Sequence, residues 1–384
     1  MKRYISSVGT LLMAAALSLT SCLSDGDDTI VLEEGNRSGI PSDELAGPNP
    51  DIDGSTTTIP NIQYTVENDG GDAIVRIDMT GVQNADDYGW MRLLGTGEPG
   101  QNVWVEVDGK PKGILVTNNA DNQGEQASVV DLVFCVDNSG SMSEEANAIA
   151  RDIISWAQLL ESSNIDIRFG CVGYSENGYV NGALNLTDAD ALGDYLNRST
   201  GTNRTMGFGG TDARALQSAA SNFGSVDDEC GAMAILFGDK HMDFRTGSNR
   251  IYVNFTDEPN QPSGYSAWST EYFSSQENWS TVQGTVHTVF SGSSSFAESI
   301  RYKERPWRIS EYTGGTVLYA SSDFSGVTLT SLPVTGAMQN SYVIRFTNVG
   351  EFMDGQAHEV RITILSADGR TRAERTFYIV FGEP

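Results

Sequence analysis

The chain has 384 residues, enough for two or three domains that each bury a core, and its hydrophobic content of 39% is ordinary for a globular protein. Its formal charge is −27, from 51 acidic against 24 basic residues, and no basic block offsets it. That balance argues against nucleic acid or an anionic membrane surface as the main partner.

Lys2 and Arg3 open the chain, Val8 to Leu19 is a short apolar stretch, and Leu19-Thr20-Ser21-Cys22 resembles the bacterial lipoprotein signal with its modified cysteine. An apolar stretch of about a dozen residues is too short to span a hydrocarbon core of roughly 30 Å. Residues 1–21 therefore read as a cleaved signal peptide and Cys22 as the lipid attachment site. Ser24-Asp25-Gly26-Asp27-Asp28 is similar to the acidic stretch with which some Gram-negative bacteria send lipoproteins outward. The expected location is the bacterial outer membrane, lipid-anchored and exposed on the cell surface. Residues 22–60 are acidic and rich in Gly, Pro, Ser and Thr, with Arg37 their only basic residue, and read as a disordered tether. At about 5 to 6 Å times the square root of residue number, it would hold the folded part roughly 35 Å from its anchor. Asp51-Ile52-Asp53-Gly54 lacks the third acid and distal Glu of a calcium loop and reads as linker.

Residues 61–128 carry alternating runs, such as Val103, Val105 and Val107 against Trp104 and Glu106, with turn chemistry at Asp108-Gly109 before Lys112 to Val116. From 129 to 333 strand and helix patterns alternate, which predicts βαβ units and a mostly parallel sheet. Val133 to Val136, Asp166 to Tyr174, 249–255, Thr285 to Ser291 and Thr316 to Tyr319 read as strands. Ser143 to Leu160 reads as a helix, with Ala146, Ile149, Ile153, Trp156, Leu159 and Leu160 at three- and four-residue steps. Ala189 to Asn197, Asp212 to Phe223 and Cys230 to His241 are further helices, and Trp307 with the Met and Phe residues of 232–244 read as core. In 334–384, Tyr342 to Phe346, Val360 to Ile364 and Thr376 to Val380 are strands, with a turn at Asp368-Gly369. Three strands are too few to bury a core of their own. The expected fold is thus α/β, a doubly wound and mostly parallel sheet inserted into a β-sandwich built from the N- and C-terminal flanks. Two separate small β elements docked on the central domain stay open as the alternative.

Chemistry concentrates where apolar strands stop. Val133 to Val136 ends at Asp137-Asn138-Ser139-Gly140-Ser141, and 249–255 ends at Thr256-Asp257-Glu258-Pro259. In open α/β sheets ligands bind outside the carboxyl ends of strands, so both acids are expected at one edge. Gly209 and Gly210 supply a tight loop that brings in Thr211. Carboxylates, hydroxyls and water are hard ligands that suit Mg²⁺, with near-octahedral geometry at about 2.0 to 2.1 Å.

Asp137, Ser139 and Ser141 in a DxSxS pattern, followed by Thr211 and Asp257, resemble the von Willebrand factor A domain, also seen as the inserted domain of integrins, with its metal-ion-dependent adhesion site. The likeness covers 129–333. It implies that Ser139, Ser141 and Thr211 approach the metal directly, and that Asp137 and Asp257 act largely through water. Mg²⁺ is the implied cation, with Mn²⁺ or Ca²⁺ as alternatives. It further implies that an acidic side chain of an extracellular protein or glycoprotein partner completes the coordination, and that the last helix of the domain, somewhere in 321–333, moves on ligand engagement.

Cys135 and Cys171 sit inside apolar strands and read as buried free thiols. His241, His287 and His358 are not at metal-ligand spacing, Ser139 and Ser141 lack a GxSxG elbow, and no phosphate loop is present, so no enzyme is expected. The expected function is metal-dependent adhesion or protein-ligand binding by a surface lipoprotein. A structural subunit of a surface assembly, such as a pilus-like tip that uses the same site for subunit contacts, is the other reading.

Overall fold

The computed structural model describes residues 39–59, 62–118, 129–143, 145–162, 165–175, 177–197, 210–211, 214–292, 300, 304–321, 329 and 333–382. The expected signal peptide and Cys22 lie outside them.

Alternation in the N-terminal flank gives β1 (Ile62–Asp69), β2 (Asp72–Met79), β3 (Val103–Val107), β4 (Lys110–Lys112) and β5 (Leu115–Asn118). The central stretch gives β6 (Val129–Asp137), α1 (Ala146–Glu161), β7 (Asp166–Tyr174), β8 (Val180–Thr187), α2 (Ala189–Asn197), β9 (Gly210–Thr211), α3 (Arg214–Phe223) and α4 (Gly231–His241). It continues through β10 (Asn249–Thr256), β11 (Thr285–Ser291), α5 (Trp307–Thr313), β12 (Val317–Ala320) and α6 (Pro333–Gln339). The chain closes with β13 (Tyr342–Phe346), β14 (His358–Leu365) and β15 (Arg372–Ile379).

Two four-stranded antiparallel sheets, in the orders β1-β2-β13-β5 and β15-β14-β3-β4, form the sandwich. β13 pairs with β2 and β5, and β14 pairs with β3, so the C-terminal strands lie directly among those of the other flank. That pairing excludes two separate β elements. Ile77, Val103, Val107, Ile344, Phe346, Ile362 and Ile364 are fully buried between the sheets. At the β3–β4 hairpin Val107 faces Lys110, and Asp108 and Gly109 take φ of 47° and 75°. Both central residues of a two-residue hairpin loop need positive φ to match strand twist, which is why Asp-Gly serves here.

Residues 39–59, expected within the disordered tether, are instead laid along the sandwich. Asn49 is buried: its N–H donates to Glu106 at 2.8 Å and its side chain donates to Thr363 Oγ1 at 3.0 Å. Lys112 Nζ pairs with Asp43 at 2.9 Å, and Arg372 Nε donates to Gly54 O at 2.8 Å. Composition underestimates this segment because polar hydrogen bonds to the sandwich hold it, and among these residues Ile59 enters the sandwich core.

The central sheet has the order β12-β11-β10-β6-β7-β8-β9. β12, β11, β10, β6 and β7 run parallel, β8 is antiparallel to β7, and β9 is parallel to β8. β6 is buried on both faces, the pattern of a central parallel strand. Leu132, Phe134 and Val136 pack with α1, α2 and Met338 of α6, while Val133 and Cys135 pack with Met233 and Phe237 of α4 and Ile309 of α5. Within α1, Ile149, Ile153, Trp156 and Leu160 are buried, but Leu159 is 39% exposed. Leu159 stands about 100° round the helix from Leu160 and falls at the stripe's margin. Cys135 and Cys171 are buried and form no disulfide among the described residues.

The two parts meet at α6, which leads straight into β13. Gly81 N–H donates to Ala337 O at 2.8 Å, Gln63 Nε2 donates to Val282 O at 2.6 Å, and Gly336 lies against the Trp90 ring.

At the start of β14, His358 Nδ1 lies 2.7 Å from Asp108 and Nε2 lies 2.9 Å from Asp354. Burial disfavours the imidazolium, yet these carboxylates raise the His358 pKa above its ordinary value. The His358 hydrogen bond, acting against burial, lowers that of Asp108. The histidine's contribution is fully present below about pH 6.5 and is lost as pH rises through its raised folded value. The Asp108 contribution is present above about pH 3.9 and is lost as pH falls. The melting-temperature advantage of the wild type over His358→Gln should therefore be greatest between about pH 4 and 6.5 and shrink toward pH 8. An advantage constant across that range would contradict a charged pair.

Candidate metal site

β6 and β10 are parallel neighbours in register, Phe255 opposite Val136, so Thr256 stands beside Asp137 at the carboxyl edge. From β6 the chain departs through α1 to β7 on one side, and it later returns to place β10 on the other. This is a topological switch point, where loops diverge and leave a crevice.

Asp137 is 1% exposed. Its Oδ1 accepts Ser139 N–H at 3.0 Å and its Oδ2 accepts the Thr256 hydroxyl at 3.0 Å. Burial pushes its pKa up to about 7, with a further rise from the charge of Asp257, while hydrogen bonds from Ser139 and Thr256 resist it. Ser139 and Ser141 Oγ atoms lie 2.9 Å apart, and Ser141 Oγ donates to Asp257 Oδ1 at 3.1 Å. Burial raises Asp257 as well, aided by the charge of Glu145 and opposed by the Ser141 hydrogen bond. Among the described residues no ion pair reaches Asp137 or Asp257.

The loop after β6 is tied to its surroundings. Asn138 N–H donates to Tyr174 O at 2.9 Å, and the Asn138 and Asn181 side-chain amides pair reciprocally at 2.8 and 2.7 Å. Asn181 lies on β8, the strand along which β9 runs, with Ala183 opposite Thr211. The backbone thus carries Thr211 beside the strand that holds the Asp137 loop, while its side chain lies outside the described set. The other four expected residues form one hydrogen-bonded group.

Sequence patterns missed several neighbours. Glu145, just before α1, is buried, with Ser291 Oγ donating to its Oε1 at 2.7 Å. Glu229 is pushed up to about 8 by burial, by a hydrogen bond with Asp228 and by the charge of Asp137. Thr256 had a legible signal, being a hydroxyl next to Asp257. Glu145 had a weak one, as an acid before a helix, and Glu229 had none. Beside Asp257 opens a cleft of about 850 Å³, whose lining includes Asp227, Asp228, Glu258, Glu271 and Glu304.

Among the described residues no group of three or more His, Cys, Asp or Glu side chains is arranged to hold a metal. The donor set is instead two carboxylates with hydroxyls, all hard oxygens. An octahedron with metal–oxygen distances of about 2.1 Å has edges of about 3.0 Å. The 2.9 Å between the two serine hydroxyls matches such an edge, so this pair has the spacing that a small hard dication requires. No histidine joins the group. His287 is held by Thr316 and pushed down to about 3 by burial, His358 pairs with Asp108 and Asp354, and His241 packs on Phe223 and Phe237. Among the described residues no helix is long and apolar enough to cross a membrane.

No protein-family model matches the chain, and no curated protein does. Among solved structures, the conserved hypothetical protein BatB from Bacteroides thetaiotaomicron aligns at 13% identity and a TM-score of 0.33, covering 55% of this chain and 96% of that one. Proximal thread matrix protein 1 from the mussel byssus, with a zinc-occupied MIDAS motif, aligns at 11% identity and a TM-score of 0.39, covering 61% and 50%. The pilus adhesin SpaC from Lactobacillus rhamnosus GG, in an open conformation, aligns at 11% identity and a TM-score of 0.31, covering 82% and 46%. Likeness at this level carries no functional weight of its own.

Proposed function

We propose that Asp137, Ser139, Ser141, Thr211 and Asp257 hold a divalent cation, Mg²⁺ by the fit of its donor set, and that the protein uses it to bind an extracellular protein or glycoprotein. When bound, the cation supplies an electrophilic position for an Asp or Glu carboxylate of the partner. The observation that carries this reading is the hydrogen-bonded row Ser139–Ser141–Asp257 next to a buried Asp137 that no ion pair among the described residues neutralises. Neutral serine hydroxyls in direct contact with the cation do not cancel its charge, which leaves its nearest shell open to a carboxylate from outside. Asp137, fixed by Ser139 N–H and Thr256, sets the floor on which the two serines rest. The resemblance to von Willebrand factor A domains supports the same assignment. The Leu19-Thr20-Ser21-Cys22 signal supports lipid attachment at Cys22 and display on the bacterial outer membrane, with 129–333 as the binding head.

Immobilised protein should capture a partner from host matrix or envelope extracts with Mg²⁺ present and lose it with a chelator. Ser141→Ala should lose capture while its metal-free stability stays within about 0.5 kcal/mol of wild type, as exposed substitutions usually do. Capture that survives both chelation and Ser141→Ala would contradict the reading.

A further inference from the structure

Glu145 immediately precedes α1 and is 2% exposed. Its carbonyl accepts Ile149 N–H at 2.8 Å, which fixes its backbone at the helix entry. Ser291, at the carboxyl end of β11, donates its hydroxyl to Glu145 Oε1 at 2.7 Å. Glu145 Oε2 has no hydrogen-bond partner among the described residues and is itself shielded from solvent. A buried carboxylate oxygen left without a donor is strongly unfavourable, more so than a neutral polar atom.

The place of this oxygen explains why it persists. Ser291 ends the strand next to β10, at the same sheet edge as Asp257, and Asp257 feels the charge of Glu145. One carboxylate oxygen is anchored by Ser291 and the other is bare, at the sheet edge that carries Asp257. The missing donor is therefore one that arrives with the ligand. Mg²⁺ dehydrates reluctantly and keeps several waters, whose hydrogens are strong donors. We propose that Glu145 is a positioning residue whose bare Oε2 accepts a hydrogen bond from a cation-bound water, with Ser291 fixing its orientation. This rests on the reading of the Asp137 group as a cation site.

Titration calorimetry with MgCl₂ on the full chain, paired with metal-free melting curves, tests it. Glu145→Gln keeps an oxygen for Ser291 but replaces the bare acceptor with an amide. Its Mg²⁺ Kd should weaken about 10- to 100-fold, as for other residues that orient metal ligands, while its metal-free melting temperature holds or rises. Ser291→Ala should weaken Mg²⁺ by a smaller factor, and it decides the matter if Glu145→Gln does not fold. Wild-type Kd in Glu145→Gln, whatever its melting temperature, would overturn the role of Glu145 and leave the cation site standing. Absence of Mg²⁺ binding by the wild type would overturn both.

Discussion

Asp137→Ala is expected to weaken Mg²⁺ binding in titration calorimetry, with a Kd about 100-fold higher, the upper end of the loss for groups that hold a metal's ligands and waters in place. Asp137 is almost wholly buried, its two oxygens are held by Ser139 N–H and Thr256, and no cationic side chain among the described residues neutralises it. A buried charge without a partner destabilises the metal-free protein, and a dication would relieve that cost. The same premise makes a second variant informative. Asp137→Asn keeps an acceptor for Ser139 N–H and removes the charge. It should bind Mg²⁺ as weakly as the alanine variant does, yet be more stable than the wild type without metal, by about 1–3 kcal/mol. Wild-type Mg²⁺ affinity in Asp137→Asn would show that the charge has no part in binding.

Gly336→Ala is expected to destabilise the protein by about 1–3 kcal/mol, the usual cost of overpacking. A Cβ on Gly336 would lie 2.2 Å from Trp90 Cζ2, 2.6 Å from Cε2 and 2.8 Å from Nε1. The same ring also passes close to Gly81, whose would-be Cβ would stand 3.1 Å from Trp90 Cε3. The Gly81 N–H to Ala337 O bond fixes the backbone on the same side. The clash falls where the last helix of the central domain enters the sandwich, so the melting temperature should drop by several degrees. Trp90→Leu should recover part of the loss in the double variant, as contacting residues couple. Additive losses would mean that Trp90 does not hold α6.

The fold was legible where residue pattern and burial coincide. Apolar runs ending at Asp137 and Thr256 announce buried parallel strands, and Asp108-Gly109 announces a hairpin. β8 was missed because its run, Val-Asn-Gly-Ala-Leu-Asn-Leu-Thr, mixes amides and glycine into a strand whose pairing depends on β7. α5 was missed, and the last helix, α6, starts at Pro333 where it was expected within 321–333, because seven-residue helices carry too little period to stand out. Residues 39–59 were misread because their order comes from partners hundreds of positions away, such as Thr363 and Arg372. In the site, Asp137, Ser139, Ser141 and Asp257 were visible as a spaced set, because strand ends must expose such groups. Glu145 was not, since its burial depends on Ser291 and on the way β11 lies beside β10.

The central claim is that three separated segments converge on one dication, and crystals soaked in MnCl₂ test it through anomalous scattering. A single strong peak about 2.1 Å from both Ser139 Oγ and Ser141 Oγ, with Thr211 Oγ in the same shell, is the predicted result. A map with no peak between the two serines, or with manganese bound only elsewhere, would contradict it.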